Sequence, residues 1–370
     1  MTPQKPKHLL HVFATFGAGG PQVQFCQIAN HFGNRYKHSI ISMDDNYDAK
    51  KRLRADLPVE LIPLKYQKNQ FFHNIKLFRK VLAHCNPDLL LTYNWGAIEW
   101  AISNFLFPVC PHIHCEHGFR PDEIDRQLQR RVLLRYIFLS RSFKVIMPSM
   151  TMKKIALTIW KLNQKNVLYI PNGIDVKRFQ RPLPHQHIDP PKPLIIGTVA
   201  HLRKEKNIHR MIRIFNNVNQ EIPSELHIAG DGDELESITQ YIHTLGLTKR
   251  VRLLGSIDNP VPVLQNFDIF IISSDTEQMP YSVLEAMASS LPVVGTDVGD
   301  IKYMVSDSNK KFIINKDNED TFSNILNFLI KNKSLRTDIG EKNRKHCMQK
   351  FSIEHMFKNF EVIFESAMIR

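Results

Sequence analysis

The sequence predicts an α/β protein with two domains, each a parallel β-sheet covered by helices on both faces. Short apolar runs alternate with longer amphipathic stretches along nearly the whole chain. A length of 370 residues exceeds what one compact core usually accommodates. Residues 180–193 contain five prolines in fourteen positions. That composition is typical of a linker, and it divides the chain into two sets of apolar runs.

The apolar runs are predicted as strands, because they lack strict alternation and so indicate burial on both faces. Those of the first domain are 8–14, 39–43, 59–64, 89–93, 112–117, 145–149 and 167–172, and those of the second are 194–200, 225–230, 251–255, 269–274 and 293–296. Residues 351–369 have the pattern of a final amphipathic helix. We therefore assign a first domain at 1–180, a second at 181–350 and a closing helix at 351–370.

Composition narrows the class of protein. With 43% hydrophobic and 23% charged residues the chain is typical of a soluble globular protein. The first apolar run is interrupted by His11 and no run reaches about 18 residues, so neither a signal peptide nor a membrane span is expected. The five cysteines are scattered, which indicates reduced thiols rather than a disulfide framework or a structural zinc site.

The net charge of +13 is unevenly distributed. Residues 1–180 contain 26 Lys and Arg against 12 Asp and Glu, whereas residues 181–370 contain 23 against 24. This asymmetry favours an anionic partner for the first domain, with a solvated basic surface as the alternative. We expect an anionic membrane surface rather than nucleic acid.

Ligands of doubly wound sheets bind beyond the carboxyl ends of the strands, and two such domains facing each other would form a cleft. Glu277 follows the run 269–274 and Glu285 lies eight positions later. Ser282 and Glu285 have the spacing of a capping box, which predicts a helix beginning at Ser282 and a structural role for Glu285. The alternative is a ligand site at the rim of the cleft, because a helix N-terminus attracts phosphate and a carboxylate accepts from hydroxyls of a sugar or ribose.

A second candidate turn follows the run 194–200. It contains His201, Arg203, Lys204 and Lys206, and a helix is predicted from about Asn207. A lysine at such a position binds phosphate as a point charge. The alternative is a solvated basic turn.

The first domain offers two further candidates. Gly19 and Gly20 follow its first strand, but Gln22 stands where the dinucleotide fingerprint needs glycine, and no P-loop is present. What remains is a turn whose backbone can approach a ligand closely. His117, followed by Gly118 at the end of a strand, is either a site residue or a packing residue.

Two segments combine arginine or lysine with apolar residues. In 123–144, apolar residues at helical spacing are accompanied by arginines, and 66–80 mixes Phe71 and Phe72 with lysines. Such helices lie at an anionic interface or pack on a core with a solvated basic face. We name as candidates for an acceptor or membrane surface Arg120, Arg126, Arg130 and Arg131.

Taken together, these segments resemble glycosyltransferase family 4, the retaining group also called glycosyl transferases group 1, with the GT-B fold. The resemblance covers nearly the whole chain. It depends on the order of the segments IPNGIDVKRF (170–179), GTVAHLRKEKN (197–207), LHIAGDG (226–232), VRLLG (251–255), EQMPYSVLE (277–285) and LEAMASSLPVVGTDVG (284–299).

The resemblance implies a role for each matching residue. Glu277 would contact the donor sugar near the reacting carbon, Glu285 would hold the ribose, and Lys206 would bind the diphosphate. Gly19 and Gly20 would bring backbone amides to the phosphates, as would the helix start at Ser282, Val283 and Leu284. His117 would lie near the transferred sugar, and the closing helix would return to the first domain.

The sequence departs from the family pattern in two places. His201 stands where an arginine is usual, for which Arg203 could substitute. Gln278, Met279 and Pro280 replace a glycine-rich loop, and Pro280 lacks a backbone donor.

The expected function is transfer of a sugar, with retention, from a nucleoside-diphosphate sugar to a glycan or lipid-linked acceptor. The expected setting is bacterial cell-surface polysaccharide or lipopolysaccharide biosynthesis, in the cytoplasm and at the cytoplasmic face of the inner membrane. No cofactor or metal is expected. Two alternatives remain: a nucleotide-sugar epimerase of the same fold, and a non-catalytic scaffold that binds sugar nucleotides.

Overall fold

The computed structural model describes residues 5–17, 19–119, 123, 126–180, 193–218 and 221–369. The predicted linker, 180–193, therefore lies almost entirely outside the described residues, as does Arg120. Within the described ranges, each helix is too short or too polar to cross a bilayer.

The chain forms two β-sheets in which all strand pairs are parallel. The strands of the first sheet are β1 (Lys7–Phe13), β2 (Tyr36–Ser42), β3 (Val59–Leu61), β4 (Leu89–Tyr93), β5 (His112–Cys115), β6 (Lys144–Met147) and β7 (Val167–Tyr169). Those of the second are β8 (Leu194–Val199), β9 (Ser224–Ala229), β10 (Val251–Gly255), β11 (Ile269–Ile272), β12 (Val293–Thr296) and β13 (Ile313–Ile314). All twelve predicted strands are confirmed. β13 was missed because two residues are too few to give a pattern.

Helices connect the strands. Those of the first half are α1 (Gly20–Phe32), α2 (Phe71–Cys85), α3 (Ile98–Leu106), α4 (Gln129–Phe138) and α5 (Met150–Thr158). Those of the second half are α6 (Ile208–Asn216), α7 (Leu235–Thr244), α8 (Val261–Gln265), α9 (Tyr281–Ala288), α10 (Ile301–Met304), α11 (Glu319–Lys331), α12 (Lys333–Lys350) and α13 (Ile353–Met368).

The strand orders are β3-β2-β1-β4-β5-β6-β7 and β10-β9-β8-β11-β12-β13. In each sheet the order reverses beside the strand that comes first in the chain, so the switch points lie between β1 and β4 and between β8 and β11. Turns diverge at a switch point and leave a crevice at the carboxyl ends of the strands. The fold thus places the turns after β1, β4, β8 and β11 where a ligand can bind.

The chain divides into two compact units, Met1–Asn172 with Glu354–Arg370, and Gly173–Ile353. The end of the chain belongs to the first unit because α13 packs there. Phe357 stacks on His31 with ring centroids 3.9 Å apart, and Phe364 contacts the rings of Phe32 and Tyr36. The returning helix implied by the family resemblance is therefore present.

The first unit ends earlier in the chain than residue 180. Ile174, Val176 and Phe179 were assigned to the first domain, yet they are buried in a core of the second unit with Val283 and Met287. Ile174 also donates its backbone N–H to the Phe351 carbonyl, at 2.9 Å. The unit boundary thus precedes the proline-rich segment, because this stretch carries large apolar side chains that need a core.

Candidate functional site

The second unit brings Lys206 and Glu277 together at its switch point. Lys206 lies in the turn after β8, and Glu277 lies in the turn after β11. The Lys206 Nζ is 2.5 Å from Glu277 Oε1, and the Ser274 hydroxyl donates to the same oxygen at 2.7 Å. Glu277 has a largely buried side chain and Lys206 a partly buried one. A fixed carboxylate thus lies beside a fixed cation at the edge of the sheet.

Asp275 ties the two turns together. Its backbone N–H donates to the Glu205 carbonyl at 2.8 Å, and its carboxylate accepts from Asn207 Nδ2 at 3.0 Å. Arg210, which is buried in α6, contacts the same carboxylate at 2.7 Å and donates to the Ser273 carbonyl at 2.9 Å. Asp275 and Arg210 were not among the residues predicted from the sequence. Both act by holding the turns, and neither has a motif of its own.

Gly299 allows the turn that carries Glu277 to lie close to the turn after β12. Its φ is +57°, a left-handed conformation that favours glycine. A Cβ at this position would lie 2.1 Å from the Glu277 carbonyl oxygen. Asp300, the next residue, donates its N–H to the Gln278 carbonyl at 2.9 Å. The backbone of the glutamate turn is thus supported from a third strand end.

The predicted capping box at Ser282 is wrong. Helix α9 begins at Tyr281, Pro280 occupies the N-cap, and no side chain caps the helix. Proline holds φ at −68°, and this favours a start two residues earlier than a serine cap would give. Ser282 is therefore the second residue of the helix and Glu285 the fifth.

The start of α9 offers fewer groups to a ligand than the sequence suggested. Val283 donates its N–H to the Pro280 carbonyl at 3.2 Å, and the side chains of Val283 and Leu284 are fully buried in the core. Glu285 is partly exposed beside Tyr281. Burial raises the pKa of the Tyr281 hydroxyl, and the nearby Glu285 carboxylate raises it further.

His201 and Arg203 occupy different settings in the turn after β8. The His201 Nδ1–H donates to the Asp231 carbonyl at 2.5 Å, so this ring is held by the turn after β9. Gly232 permits the approach, since a Cβ there would lie 2.5 Å from the Leu202 carbonyl oxygen. Arg203 is exposed at the N-cap of the short 3-10 turn Lys204–Lys206, and the predicted helix follows as α6, capped by Asn207.

The first unit has a comparable turn after β1. Gly19 is in extended conformation as the N-cap of α1, and Gly20 is the first helical residue. The Gln22 side chain donates to the Thr15 carbonyl at 2.6 Å, and a Cβ on Gly19 would lie 2.6 Å from Gln22 Oε1. The glycines therefore leave this turn narrow and place the N-terminus of α1 at the switch point between β1 and β4.

His117 lies at the same edge of the first sheet, after β5, which is two strands from β1. Its backbone N–H donates to Asn94 Oδ1 at 2.6 Å, and Asn94 adopts a φ of +58° directly after β4. Burial, with His114 nearby, lowers the pKa of His117 to about 3. His117 is thus a neutral imidazole whose buried Nε2 lacks a hydrogen-bond partner among the described residues.

A buried charged cluster joins Glu116 and Glu123 to helix α4. Glu123 accepts from Arg131 at 2.9 Å and from Arg135 at 2.9 and 3.1 Å. The Arg135 Nε is 3.5 Å from Glu116 Oε2, and its guanidinium lies over the rings of Trp95 and Trp160. These charges are paired, as burial requires.

The predicted arginine surface is therefore only partly present. Arg126 and Arg130 are exposed, but Arg131 is 6% exposed and paired with Glu123, so its assignment to a surface is wrong. Arg120 lies outside the described residues. The buried glutamates explain the error, because they draw arginines of α4 inward, and sequence periodicity does not reveal such pairs.

Two protein-family models match this chain, and their bounds correspond approximately to its two compact units. The family model Glycosyltransferase Family 4 matches residues 18–178, and the model Glycosyl transferases group 1 matches residues 180–346. The chain belongs to the GT4 family of glycosyltransferases. The family resemblance in the sequence is thereby confirmed.

Relatives and solved structures agree with this placement. N-acetyl-alpha-D-glucosaminyl L-malate synthase of Bacillus anthracis is 26% identical over 46% of this chain and 45% of its own length. The capsular polysaccharide biosynthesis glycosyltransferase CapM of Staphylococcus aureus is 26% identical over 62% of this chain and 63% of its own length. These alignments therefore span less than two thirds of either relative.

The crystal structure of HepE from Anabaena in complex with UDP-glucose has a TM-score of 0.80. It is 18% identical, and the match covers 97% of this chain and 99% of that one. The likeness shows the fold, two Rossmann-like parallel-sheet units of the GT-B type.

Proposed function

We propose that this GT4 protein is a retaining glycosyltransferase that uses a nucleoside-diphosphate sugar. The observation that carries the proposal is the Lys206–Glu277 contact of 2.5 Å at the switch point between β8 and β11. Cleavage of the donor leaves negative charge on the diphosphate and positive charge on the sugar. A cation and a carboxylate fixed side by side match that separation of charge.

Lys206 is proposed to stabilise the leaving diphosphate, a contribution of about 3 kcal/mol for one such group in a desolvated site. The N-terminus of α9 would add a favourable dipole. Among the described residues, no group of three or more His, Cys, Asp and Glu is arranged to hold a metal ion. We propose that these protein charges bind the diphosphate directly, and unchanged activity in EDTA is the expected result.

Glu277 is proposed to bind the donor sugar. Lys206 and Ser274 both donate to its Oε1 atom, so neither of these two donors occupies Oε2. Glu285 is proposed to accept from the ribose hydroxyls through its partly exposed carboxylate. His117, neutral at physiological pH, is proposed to bind a hydroxyl of the transferred sugar. We propose front-face attack of the acceptor hydroxyl on the sugar, with the departing phosphate accepting the hydroxyl proton.

The acceptor is proposed to be a glycan or a lipid-linked precursor of a bacterial surface polysaccharide or lipopolysaccharide. CapM, a relative, is named for capsular polysaccharide biosynthesis, and the excess of basic residues in 1–180 suits an anionic acceptor or surface. We accordingly propose that the protein works in the cytoplasm, at the cytoplasmic face of the inner membrane.

The first test is a thermal-shift panel with UDP, GDP, ADP and CMP. A ligand at about 100 times its Kd stabilises the folded state by about 2.7 kcal/mol. One nucleoside diphosphate should raise the melting midpoint, and Glu285→Ala should weaken that shift. Glu341→Ala, an exposed glutamate on α12, is the matched control and should leave it intact. No shift with any nucleotide, or an equal shift in Glu285→Ala, would contradict the proposal.

The second test separates transfer from the alternatives. Nuclear magnetic resonance of the product should show the donor's anomeric configuration in a new acceptor linkage. A changed sugar nucleotide formed without acceptor would indicate an epimerase instead. Nucleotide binding without turnover, and normal function of Glu277→Gln in cells, would indicate a scaffold.

A further inference from the structure

Helix α4 turns two of its arginines toward the protein interior. Arg131 and Arg135, four residues apart, point inward to Glu116 and Glu123. Surface helices of globular proteins normally bury an apolar stripe and expose the charged one. In α4 the buried carboxylates occupy part of the inner side, beside Val132 and Phe138, which pack against the core. The other large apolar residues of the helix include three that lie exposed on the outer side.

The outer side of α4 presents three large apolar residues. Leu133 is 57% exposed, Tyr136 51% and Ile137 37%. Their spacing of three and four positions puts them on one face, and Arg130 lies three positions before Leu133 on that face. Contiguous apolar surface of this kind marks an interaction site.

The face continues onto α3. The rings of Phe105 and Phe138 are 5.2 Å apart, which joins the carboxyl ends of α3 and α4. Leu106 and Phe107, beside Phe105, are exposed. A cleft of about 220 Å³ opens between these two helices, and its lining includes Phe105, Phe138 and Phe143.

Cations surround these apolar residues. Arg141 lies over the Phe105 ring at 4.7 Å, and Arg79 of α2 lies over the Phe107 ring at 4.2 Å. On α2 itself, Lys76 and Lys80 are exposed, with Phe72 81% exposed four positions before Lys76. Guanidinium groups held over exposed rings combine charge and apolar surface in one patch.

Acidic residues are scarce around this patch. Helices α2 and α4 contain none, and Glu99 is the one acid within α3. The Glu99 carboxylate accepts from Asn74 Nδ2 at 3.3 Å on the side between α2 and α3, and burial raises its pKa. Within these three helices the patch is therefore apolar at its centre and cationic at its edge.

We propose that this patch, the outer residues of α4, the carboxyl end of α3 and the basic side of α2, docks on an anionic lipid bilayer. A bilayer offers apolar contact below its headgroups and negative charge at its surface, which is the complement of the patch. The proposal rests on the proposed function, since a lipid-linked acceptor would be met at that surface. In this proposal the bilayer is contacted by Leu133, Tyr136 and Ile137, and not by Arg131, which was predicted from the sequence.

The experiment is co-sedimentation of the full chain with vesicles of phosphatidylcholine alone or with about one third phosphatidylglycerol, at about 0.1 M and 0.5 M salt. The anionic vesicles should bind at least about tenfold more protein at low salt. The double variant Leu133→Ser with Ile137→Ser, and separately Lys76→Gln with Arg79→Gln, should each reduce that binding about tenfold. Phe328→Ser, at a residue 49% exposed on α11 of the second unit, should not change it.

Equal binding of the double variant and the wild type would overturn the proposal. Equal binding of the wild type to neutral and anionic vesicles would overturn it as well. A third contrary result would be that neither the wild type nor the double variant binds vesicles, while the wild type forms a dimer that the double variant does not. Melting midpoints and nucleotide-induced shifts are measured for every variant, so loss of folding is recognised. Vesicle binding without a nucleotide shift would leave the docking surface standing and contradict the proposed function alone.

Discussion

At the scale of single residues, the candidate donor site depends on backbone positions as much as on charged side chains. Glu277 is fixed through its carboxylate by Lys206 and Ser274, and through its carbonyl by the close approach of Gly299. Pre-organisation of this kind lets a charged group act without rearrangement during the reaction. The importance of the position of the Glu277 turn can therefore be tested by a substitution that changes no charge.

Gly299→Ala should displace the Glu277 turn and weaken nucleotide binding at least about tenfold, because the new Cβ would overlap the Glu277 carbonyl oxygen. Isothermal titration with the nucleotide found in the thermal-shift panel measures the effect. Gly246→Ala is the control, since Gly246 has a φ of +67° but no atom within 4 Å of an added Cβ. Equal affinities for the two variants would show that the contact is unimportant.

Sequence reasoning located Lys206 and Glu277 because each follows a recognisable apolar strand, and the structure brings them into contact. It did not locate Arg210, whose partner Asp275 is 65 positions away in the chain. The start of α9 was predicted wrongly, because Pro280 and Ser282 are both residues that commonly stand where a helix begins. Which of the two occupies the N-cap depends on the conformation of the preceding turn. The proposed roles of the site residues stay predictions.

At the scale of secondary-structure elements, strands were predictable and the orientation of α4 was not. A strand buried on both faces is continuous in its apolar residues, so the chain itself reports it. The orientation of α4 is determined by Glu116 and Glu123, which lie outside the helix. Periodicity predicts which residues share a face, but here the inner face is the charged one.

Arg135→Met should destabilise the first unit by about 3–5 kcal/mol, because Glu116 would then lack its buried counter-charge and Glu123 would keep only Arg131. Urea unfolding followed by tryptophan fluorescence would report it, since Arg135 contacts Trp95 and Trp160. Arg130→Met, on the exposed side of the same helix, should change stability by no more than about 0.5 kcal/mol. If Arg135→Met were as stable as the wild type, the buried cluster would have no structural role.

At the scale of the whole molecule, the two units differ in how they should respond to acid. The first unit holds His11, His38, His112 and His117 buried with lowered pKa values, and burial is the main cause in each. In the described part of the second unit, His346 is the histidine whose pKa is lowered, and it is half-buried. Acid should therefore unfold the first unit before the second.

His112 provides the test of this difference. Burial lowers its pKa to about 3, whereas an unfolded histidine titrates near 6.5, so the unfolded state binds the extra proton between these values. The stability contributed by neutral His112 is thus present above about pH 6.5 and falls by about 1.4 kcal/mol per pH unit below it. Urea unfolding at about pH 7.5 and 5.5 should show that the free energy of unfolding falls less in His112→Gln than in the wild type. If the free energy of unfolding fell equally in the variant and the wild type, His112 would be excluded as a source of the pH dependence.

The return of α13 to the first unit bears on the order in which the chain can fold during synthesis. The rings of Phe357 and Phe364 cover His31, Phe32 and Tyr36, which emerge from the ribosome more than 300 residues earlier. The second unit, Gly173–Ile353, is complete before α13 has been translated. The first unit is therefore made first but cannot cover this aromatic surface until α13 has been translated, so the surface is exposed to misassembly in the meantime.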